Sequence, residues 1–272
     1  MKTDVVYAEV PGTRIDVMEI IRKTNVKAMP VVKKGTKEIV GVISQTDLLL
    51  NPDEDQIALL MSRDPIQINP NTSVKELVNL MIEKNLRRLP VTKGKEVVGM
   101  VSIADIIKAI SRMNIKTPVK ELINTNIHVV WEGTPLSAVP IIMRLSNIRA
   151  VPCIDDNGTL SGIISDVDFI KQSKIVSEEK SSSISSSSDK EWSWETSDIL
   201  LITKKKLKLP NKPVREVMTK KVVTINEFTS VSECASRMRK HKIDQIPVLD
   251  AKGELIGMME DQRLATAFQN KI

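Results

Sequence analysis

Three copies of one short motif carry the residue types that are best suited to chemistry in this sequence. Each copy has a glycine, a serine three residues later and an aspartate three residues after that: Gly41, Ser44 and Asp47; Gly99, Ser102 and Asp105; Gly162, Ser165 and Asp168. A strand is predicted to end and a helix to begin at each serine, where free N–H groups and the helix dipole favour an anion. The serine could contact a phosphate, the aspartate could bind a ribose diol, and the glycine leaves room for a flat group.

The same spacing also permits a purely structural interpretation. A serine followed three residues later by an acidic residue resembles a capping box, which closes a helix start and needs no ligand. A cap would accept Glu or Gln as well, whereas Asp47, Asp105 and Asp168 are all aspartates. Three identical copies therefore favour a binding site, and capping stays open as the alternative at each copy.

Basic residues form a second candidate cluster, two and three positions before a proline that recurs in each copy. They are Lys27, Arg87, Arg88 and Arg149. Arginine pairs suit phosphate because a guanidinium donates two parallel hydrogen bonds. The alternative is that these side chains are solvated or paired with nearby acids.

A fourth copy of the surrounding pattern lacks both features. Glu260 replaces the serine, Arg263 replaces the aspartate, and Asp244 and Gln245 stand at the two basic positions. A glutamate at the helix start would repel phosphate, and the diol would lose its acceptor. We expect no ribose binding of the same kind there, and we expect Asp261 to cap the helix instead.

An internal repeat must position these residues. The prolines lie at 30, 90, 152 and 247, and each is followed by a polar turn, a returning apolar strand and a helix. In the second copy, Val74, Leu77, Val78 and Met81 predict one face of a preceding helix. We place the repeats at 1–56, 57–115, 116–173 and 214–272. Because a unit of this size is marginal alone, we expect two pairs, at 1–115 and 116–272.

Residues 174–213 interrupt the pattern and are interpreted as an insertion or linker. The serine-rich tract at 181–188 is typical of a flexible segment. Trp192 and Trp194 follow it. They predict either that the insertion is pinned onto the body or that it forms a lid or a partner-docking element.

Composition limits the classes of protein. Of the 272 residues 41% are apolar and 3% aromatic, and the net charge is +6. The scattered charge argues against nucleic acid as the main partner. The two cysteines, Cys153 and Cys234, lack metal-ligand spacing and predict a reducing compartment. Without a long apolar run or a secretory signal, we expect a cytoplasmic protein that is not associated with a membrane.

Catalytic patterns are not evident in the sequence. His128 and His241, the two histidines, have no obvious catalytic partner nearby, and there is no Walker-type loop or paired set of carboxylates. We therefore expect a protein that is not an enzyme and that holds no metal or cofactor.

The repeat resembles the CBS domain, a βαββα unit that ends in the Gly-x-x-Ser-x-x-Asp motif. The resemblance spans nearly the whole chain except about 174–213, and four copies resemble stand-alone archaeal proteins and the gamma subunit of AMP-activated protein kinase. It implies an α/β fold in which the repeats pair into two Bateman modules that form a disc. Only Met1 to Val6 precede Tyr7, so the leading segment of the first repeat is expected to be short or absent.

The resemblance also implies a function. CBS proteins bind adenosine ligands between paired repeats, which implies phosphate and ribose roles for Ser44, Asp47, Ser102, Asp105, Ser165 and Asp168, and phosphate roles for Lys27, Arg87, Arg88 and Arg149. The chain would be a monomeric or homodimeric regulator that senses AMP, ADP or ATP and acts on an unidentified protein. The alternatives are a sensor of S-adenosylmethionine or another nucleoside, and a nucleic-acid-associated protein that uses its basic surface.

Overall fold

A computed structural model describes residues 3–183 and 199–269, with side chains described outside 178–183 and 199–205. Its elements are, in chain order, β1 (Ala8–Val10), α1 (Arg14–Thr24), β2 (Ala28–Lys33), β3 (Ile39–Ser44), α2 (Gln45–Leu50), α3 (Ile57–Leu60), β4 (Ser62–Arg63), α4 (Val74–Glu83), β5 (Arg88–Lys93), β6 (Glu96–Ser102), α5 (Ile103–Ile110), β7 (Val130–Trp131), α6 (Val139–Leu145), β8 (Ala150–Ile154), β9 (Leu160–Ser165), α7 (Asp166–Gln172), β10 (Lys174–Ser183), β11 (Ile199–Lys208), β12 (Ile225–Asn226), α8 (Val231–His241), β13 (Gln245–Leu249), β14 (Leu255–Glu260) and α9 (Asp261–Gln269). Short 3₁₀ turns at Lys120–Leu122 and Val214–Glu216 lie near the starts of the third and fourth repeats.

An antiparallel strand pair forms the centre of each repeat. The pairs are β2 with β3, β5 with β6, β8 with β9, and β13 with β14. In every pair the register shifts one residue after the proline, between Val31 and Val32, Val91 and Thr92, Cys153 and Ile154, and Val248 and Leu249. The shared position of this bulge shows that the chain contains one structural unit four times.

Segments that lead into one repeat lie on the sheet of a neighbouring repeat. Strand β4 pairs with β3 through Gly41 and Arg63, and Thr219 bridges to Ile163 in the third repeat. A Cβ on Gly41 would lie 2.5 Å from the sulfur of Met61, and one on Gly162 would lie 2.4 Å from the sulfur of Met218. The room beside these two glycines is therefore filled by the crossing segment, and the expectation that it accommodates a flat ligand group is wrong at both positions.

Helix faces join the repeats in a second direction. Helix α5 of the second repeat packs on α8 and α9 of the fourth, and α2 of the first repeat packs on α6 and α7 of the third. The largest apolar cluster joins Ile107 and Ile110 of α5 to Leu264 and Phe268 of α9. The apolar stripe of α5 is thus buried against the fourth repeat.

Strand edges join the first repeat to the second. The N–H of Ile39 donates to the carbonyl of Lys95 at 3.0 Å, and the N–H of Val97 donates to the carbonyl of Lys37 at 2.9 Å. These hydrogen bonds join the two repeats of the expected pair at 1–115. The helix packing described above instead joins residues 1–115 to residues 116–272. The centre of the molecule is a place where four repeats meet.

The insertion contains regular structure that the sequence interpretation did not anticipate. Strands β10 and β11 form an antiparallel ladder from Lys174 opposite Lys208 to Ser183 opposite Ile199. Ile175 and Leu207 at its base pack against the core of the first repeat. The expected flexible tract therefore begins inside a strand, while Trp192 and Trp194 lie outside the described residues.

No helix in the described part of the chain has the length and the apolar character that a membrane-spanning segment requires.

Candidate functional site

Two cavities lie where repeats meet. The first has a volume of about 510 Å³ and is lined by residues of all four repeats, including Ser44, Asp47, Arg88, Arg149 and Gln245. The second has a volume of about 410 Å³ and includes Ser102, Asp105, Lys27 and Arg88. Both volumes lie in the range of small-molecule sites, roughly 300–1,000 Å³.

The second cavity includes a wall from the start of the chain. Residues 4–6 line it together with Ser102 and Asp105 of the second repeat. Val5 and Tyr7 also pack on a small cluster that Val32, Ile39 and Val97 form between the first two repeats. The short leading segment of the first repeat therefore contributes to a wall of the second cavity.

The serine and aspartate of each motif form a capping box. The backbone N–H and hydroxyl of Ser102 donate to Asp105 Oδ2 at 3.0 and 3.2 Å. Ser44 makes the same bonds to Asp47 at 2.8 and 2.7 Å, and Ser165 makes them to Asp168, both at 2.9 Å. The structural alternative is therefore realised in all three copies.

Aspartate in this position does not by itself mark a ligand site. Thr13 and Asp16 form an equivalent box at the start of α1, with distances of 2.7 and 2.9 Å. The choice of Asp over Glu therefore cannot separate binding from capping. Among the described residues, however, Oδ1 of Asp47, Asp105 and Asp168 makes no protein hydrogen bond, which leaves one acceptor oxygen in each motif for a ligand.

Two of the expected phosphate ligands are engaged by acids of the fourth repeat. Lys27 Nζ lies 2.9 Å from Asp244 Oδ2, and Arg87 Nη2 lies 3.1 Å from the same oxygen. Arg87 also pairs with Oδ2 of Asp261. The alternative that these cations pair with nearby acids is thus realised for Lys27 and Arg87. Asp261 binds Arg87 rather than capping α9.

Burial and charge set the protonation of these acids. Burial raises the pKa of Asp244, but Lys27 and Arg87 outweigh it and hold that pKa below its ordinary value. Burial raises the pKa of Asp261 to about 6, against the attraction of Arg87 and with the repulsion of Asp244. Oδ1 of Asp261 is buried without a partner among the described residues, which agrees with a carboxylate that is poorly compensated.

Arg88 differs from Arg87 and Lys27 because its guanidinium forms no ion pair with an acid among the described residues. It lies directly across the strand pair from Ser102 and lines both cavities. Within 3–183 and 199–269 it has neither an ion pair nor a side-chain hydrogen bond. Burial lowers the pKa of Arg88 to about 10, assisted by the positive charges of Arg149 and Arg87. Partial burial of a cation without a partner is unfavourable, and an anion in either cavity would compensate it.

Arg149 lines the first cavity beside Asp166. Its Nε lies 3.6 Å from Asp166 Oδ2, and the hydroxyl of Thr46 donates to the same oxygen at 2.7 Å. Burial raises the pKa of Asp166, although Arg149 and the bond from Thr46 oppose the shift. Arg149 is thus partly neutralised but still faces the cavity.

Three basic residues that the sequence interpretation missed also face the cavities. Arg144, near the end of α6, lines the first cavity, whereas Arg239 and Lys242, at the end of α8, line the second. None of the three has an ion pair or a side-chain hydrogen bond in the described part of the chain. Their common position at the end of the first helix of a repeat could have identified them, because in every repeat this end lies just before the basic positions.

Ser165 and Asp168 are not brought to either cavity. Of the third repeat's described residues, Arg149 and Asp166 line the first cavity, but Ser165 and Asp168 line neither the first nor the second. Their capping box is the role that the structure gives them. The binding role expected for Ser165 and Asp168 stays a prediction, without support from these two cavities.

The corresponding position in the fourth repeat is filled by protein groups. Arg263 Nη1 donates to the carbonyls of Leu122 and Ile123 at 3.4 and 3.2 Å. Asn124 Nδ2 donates to Glu260 Oε1 at 3.3 Å. These contacts support the prediction that this repeat does not bind a ribose in the same way.

A metal site is not formed by the described residues, because no group of three or more His, Cys, Asp and Glu side chains could hold an ion there. Burial raises the pKa of Cys153 and of Cys234 to about 12. Both thiols are therefore protonated near neutral pH.

Known proteins share this architecture. The model of the CBS domain matches residues 1–53, 56–112, 119–174 and 214–270. The crystal structure of protein MJ1225 from Methanocaldococcus jannaschii, proposed as an archaeal homologue of γ-AMPK, is similar with a TM-score of 0.79 at 18% identity, over 98% of this chain and 97% of that one. An uncharacterized conserved protein from Pyrococcus horikoshii gives a TM-score of 0.64 at 27% identity, over 98% of this chain and 96% of that one.

A curated relative extends well beyond the aligned region. Uncharacterized protein MJ1404 of Methanocaldococcus jannaschii is 27% identical over 217 residues, which are 79% of this chain and 43% of MJ1404. The chain thus spans less than half the length of that relative. The four matched segments, which cover most of the sequence, show that this chain belongs to the CBS-domain family and contains four CBS domains.

Proposed function

We propose that this protein is a ligand-sensing regulator that binds adenine nucleotides, of the AMP, ADP or ATP type, in the two cavities. The observation that carries the proposal is Arg88, a half-buried guanidinium that lines both cavities and has no protein partner in the described part of the chain. A phosphate is the natural complement of such a group because it accepts two parallel hydrogen bonds.

The remaining parts of a nucleotide also have complements. In the second cavity Asp105 Oδ1 is free to accept from a ribose diol, and Arg239 and Lys242 add positive charge for the phosphate. In the first cavity Asp47 occupies the ribose position, and Arg144 and Arg149 supply positive charge. Ser165 and Asp168 have no role in this proposal. Lys27 and Arg87 neutralise Asp244 and Asp261 and do not bind the phosphate directly.

Regulation would follow from where the cavities lie. The first cavity is lined by all four repeats and the second by the first, second and fourth. A ligand that contacts several repeats stabilises the arrangement that brings them together, which is a shift of population. An unidentified protein would respond to the ligand-bound arrangement, and no catalysis by this chain is required.

Calorimetric titration with AMP, adenosine and S-adenosylmethionine at physiological salt tests the proposal. We expect AMP to bind at least about tenfold more tightly than adenosine, or roughly 1.4 kcal/mol. Arg88→Gln should remove most of this preference, whereas Arg112→Gln, which changes an exposed arginine outside both cavities, should retain it. Equal binding of adenosine or S-adenosylmethionine would replace the nucleotide assignment with a nucleoside sensor. Salt-dependent retention on nucleic acid without AMP binding would favour the basic-surface alternative.

A further inference from the structure

The two cavities share part of one wall. Ala28, Arg87 and Arg88 line both of them. Arg87 is committed to Asp244 and Asp261, and Ala28 carries no charge. Arg88 is therefore the shared group that is available to an anion from either side.

Each cavity also has cations of its own. Arg144 and Arg149 line the first cavity and not the second, whereas Arg239 and Lys242 line the second and not the first. Either cavity can thus hold a phosphate with help from its own cations. Two phosphate sites are therefore expected rather than a single one.

Strand β5 holds the backbone of Arg88 in place between the two cavities. Arg88 begins β5 and pairs with Ser102, and Leu89 and Pro90 beside it are buried. The positive charges of Arg149 and Arg87 and the negative charges of Asp244 and Asp261 surround its guanidinium. Of these charged groups, Arg88 is the one that lines both cavities without a protein partner among the described residues.

We propose that ligand binding in one cavity weakens phosphate binding in the other, because both phosphates draw on Arg88. This inference rests on the proposed function, since it requires a phosphate-bearing ligand. A phosphate monoester carries about −1.5 to −2 charges at pH 7. Once one phosphate is bound, it offsets the charge of Arg88, and a second phosphate is attracted mainly by the cations of its own cavity and therefore binds more weakly. Because coupling of binding free energies is reciprocal, each cavity weakens the other by the same factor.

Calorimetry on the full chain measures this coupling when the two sites can be separated. Asp47→Asn disables the first cavity and Asp105→Asn the second. Each variant should bind one AMP tightly, and wild type should bind a second AMP at least about tenfold more weakly than the variant in which that site stands alone. If either variant loses its folded thermal transition, Leu50→Trp or Ala104→Trp replaces it, since each side chain lines one cavity only.

Two comparisons assign the coupling to Arg88 rather than to a general change of shape. Adenosine, which has no phosphate, should bind both cavities without mutual weakening. Arg88→Gln should weaken AMP at both sites and abolish the coupling, whereas the matched changes Arg144→Gln and Arg239→Gln should each weaken one site and leave the coupling in place.

The possible failures are distinct. If AMP binds both cavities of wild type with the affinities of the isolated sites, or with positive cooperativity, the coupling is overturned and the proposed function stands. The same holds if the coupling persists in Arg88→Gln. If no variant and no wild-type sample binds AMP, the proposed function fails and the coupling fails with it.

Discussion

The two carboxylate oxygens of Asp105 have different roles. Oδ2 accepts both hydrogen bonds of the capping box. Oδ1 has no protein donor among the described residues, and Asp105 lines the second cavity. The sequence predicted the motif and both of its interpretations, but spacing alone could not choose between them because they are compatible. What separates the three motifs is whether a cavity lies beside them, and that depends on the packing of distant repeats.

Asp105→Ala should weaken AMP binding by about 10- to 150-fold, since hydrogen bonds to charged groups contribute about 1.5–3 kcal/mol. Arg263→Ala is the matched control because Arg263 holds the equivalent position in the fourth repeat, and it lines neither cavity. Its effect on binding should stay within about twofold of wild type by calorimetry at matched temperature. Equal losses in the two variants would contradict the assignment of the second cavity.

Asp261 predicts a pH dependence of stability. Its pKa rises from 3.8 to about 6 on folding, mainly through burial. The folded chain therefore holds this proton more strongly than the unfolded chain, and the fold loses stability as pH rises through this interval. Asp261→Asn removes the ionisation, so its free energy of unfolding relative to wild type should increase by about 2 kcal/mol between pH 4 and pH 6.

Urea unfolding at a series of pH values measures this difference. The exposed Asp64→Asn serves as the control, and its curve should run parallel to that of wild type. If the Asp261→Asn curve also runs parallel, Asp261 is ionised throughout, and its pairing with Arg87 is stronger than its burial suggests.

At the level of elements, the strands and helices of the repeats could be predicted because their periodicity is local. The turns at Lys93 to Lys95 and at Asp155 to Gly158 also agree with the structure, with Gly94 and Gly158 at φ values of 62° and 77°. The hairpin of β10 and β11 was not predicted because serine and lysine are weak strand formers. Its pairing is instead anchored at the base, where the N–H of Leu207 donates to the carbonyl of Pro52 at 2.9 Å.

Truncation of this hairpin tests whether its base alone is sufficient for the stability of the fold and for AMP binding. Replacing residues 178–204 with Asn-Gly joins Ser177 to Lys205, which are register partners, through a two-residue turn. We expect the melting temperature and AMP binding to be unchanged, because Ile175 and Leu207 remain packed on the first repeat. A drop of several degrees by differential scanning calorimetry would show that the removed part is packed on the body.

At the scale of the whole molecule, the sequence predicted four repeats but not which faces would meet. The repeat pattern leaves several pairings equally compatible, since every repeat offers a similar helix face. The observed arrangement brings Lys27, Arg87, Arg149 and Asp244, which hold the same position in the four repeats, to the centre. Because one of the four is an acid, the fourth repeat neutralises two of the cations and leaves Arg88 for a ligand.

A crystal structure of the full chain grown with AMP tests this account most directly. We predict electron density for AMP in at least one of the two cavities, with the phosphate on the guanidinium of Arg88 and the ribose diol on Oδ1 of Asp105 or Asp47. AMP seated instead beside Arg263, which lines neither cavity, or a phosphate bound away from Arg88, would contradict it.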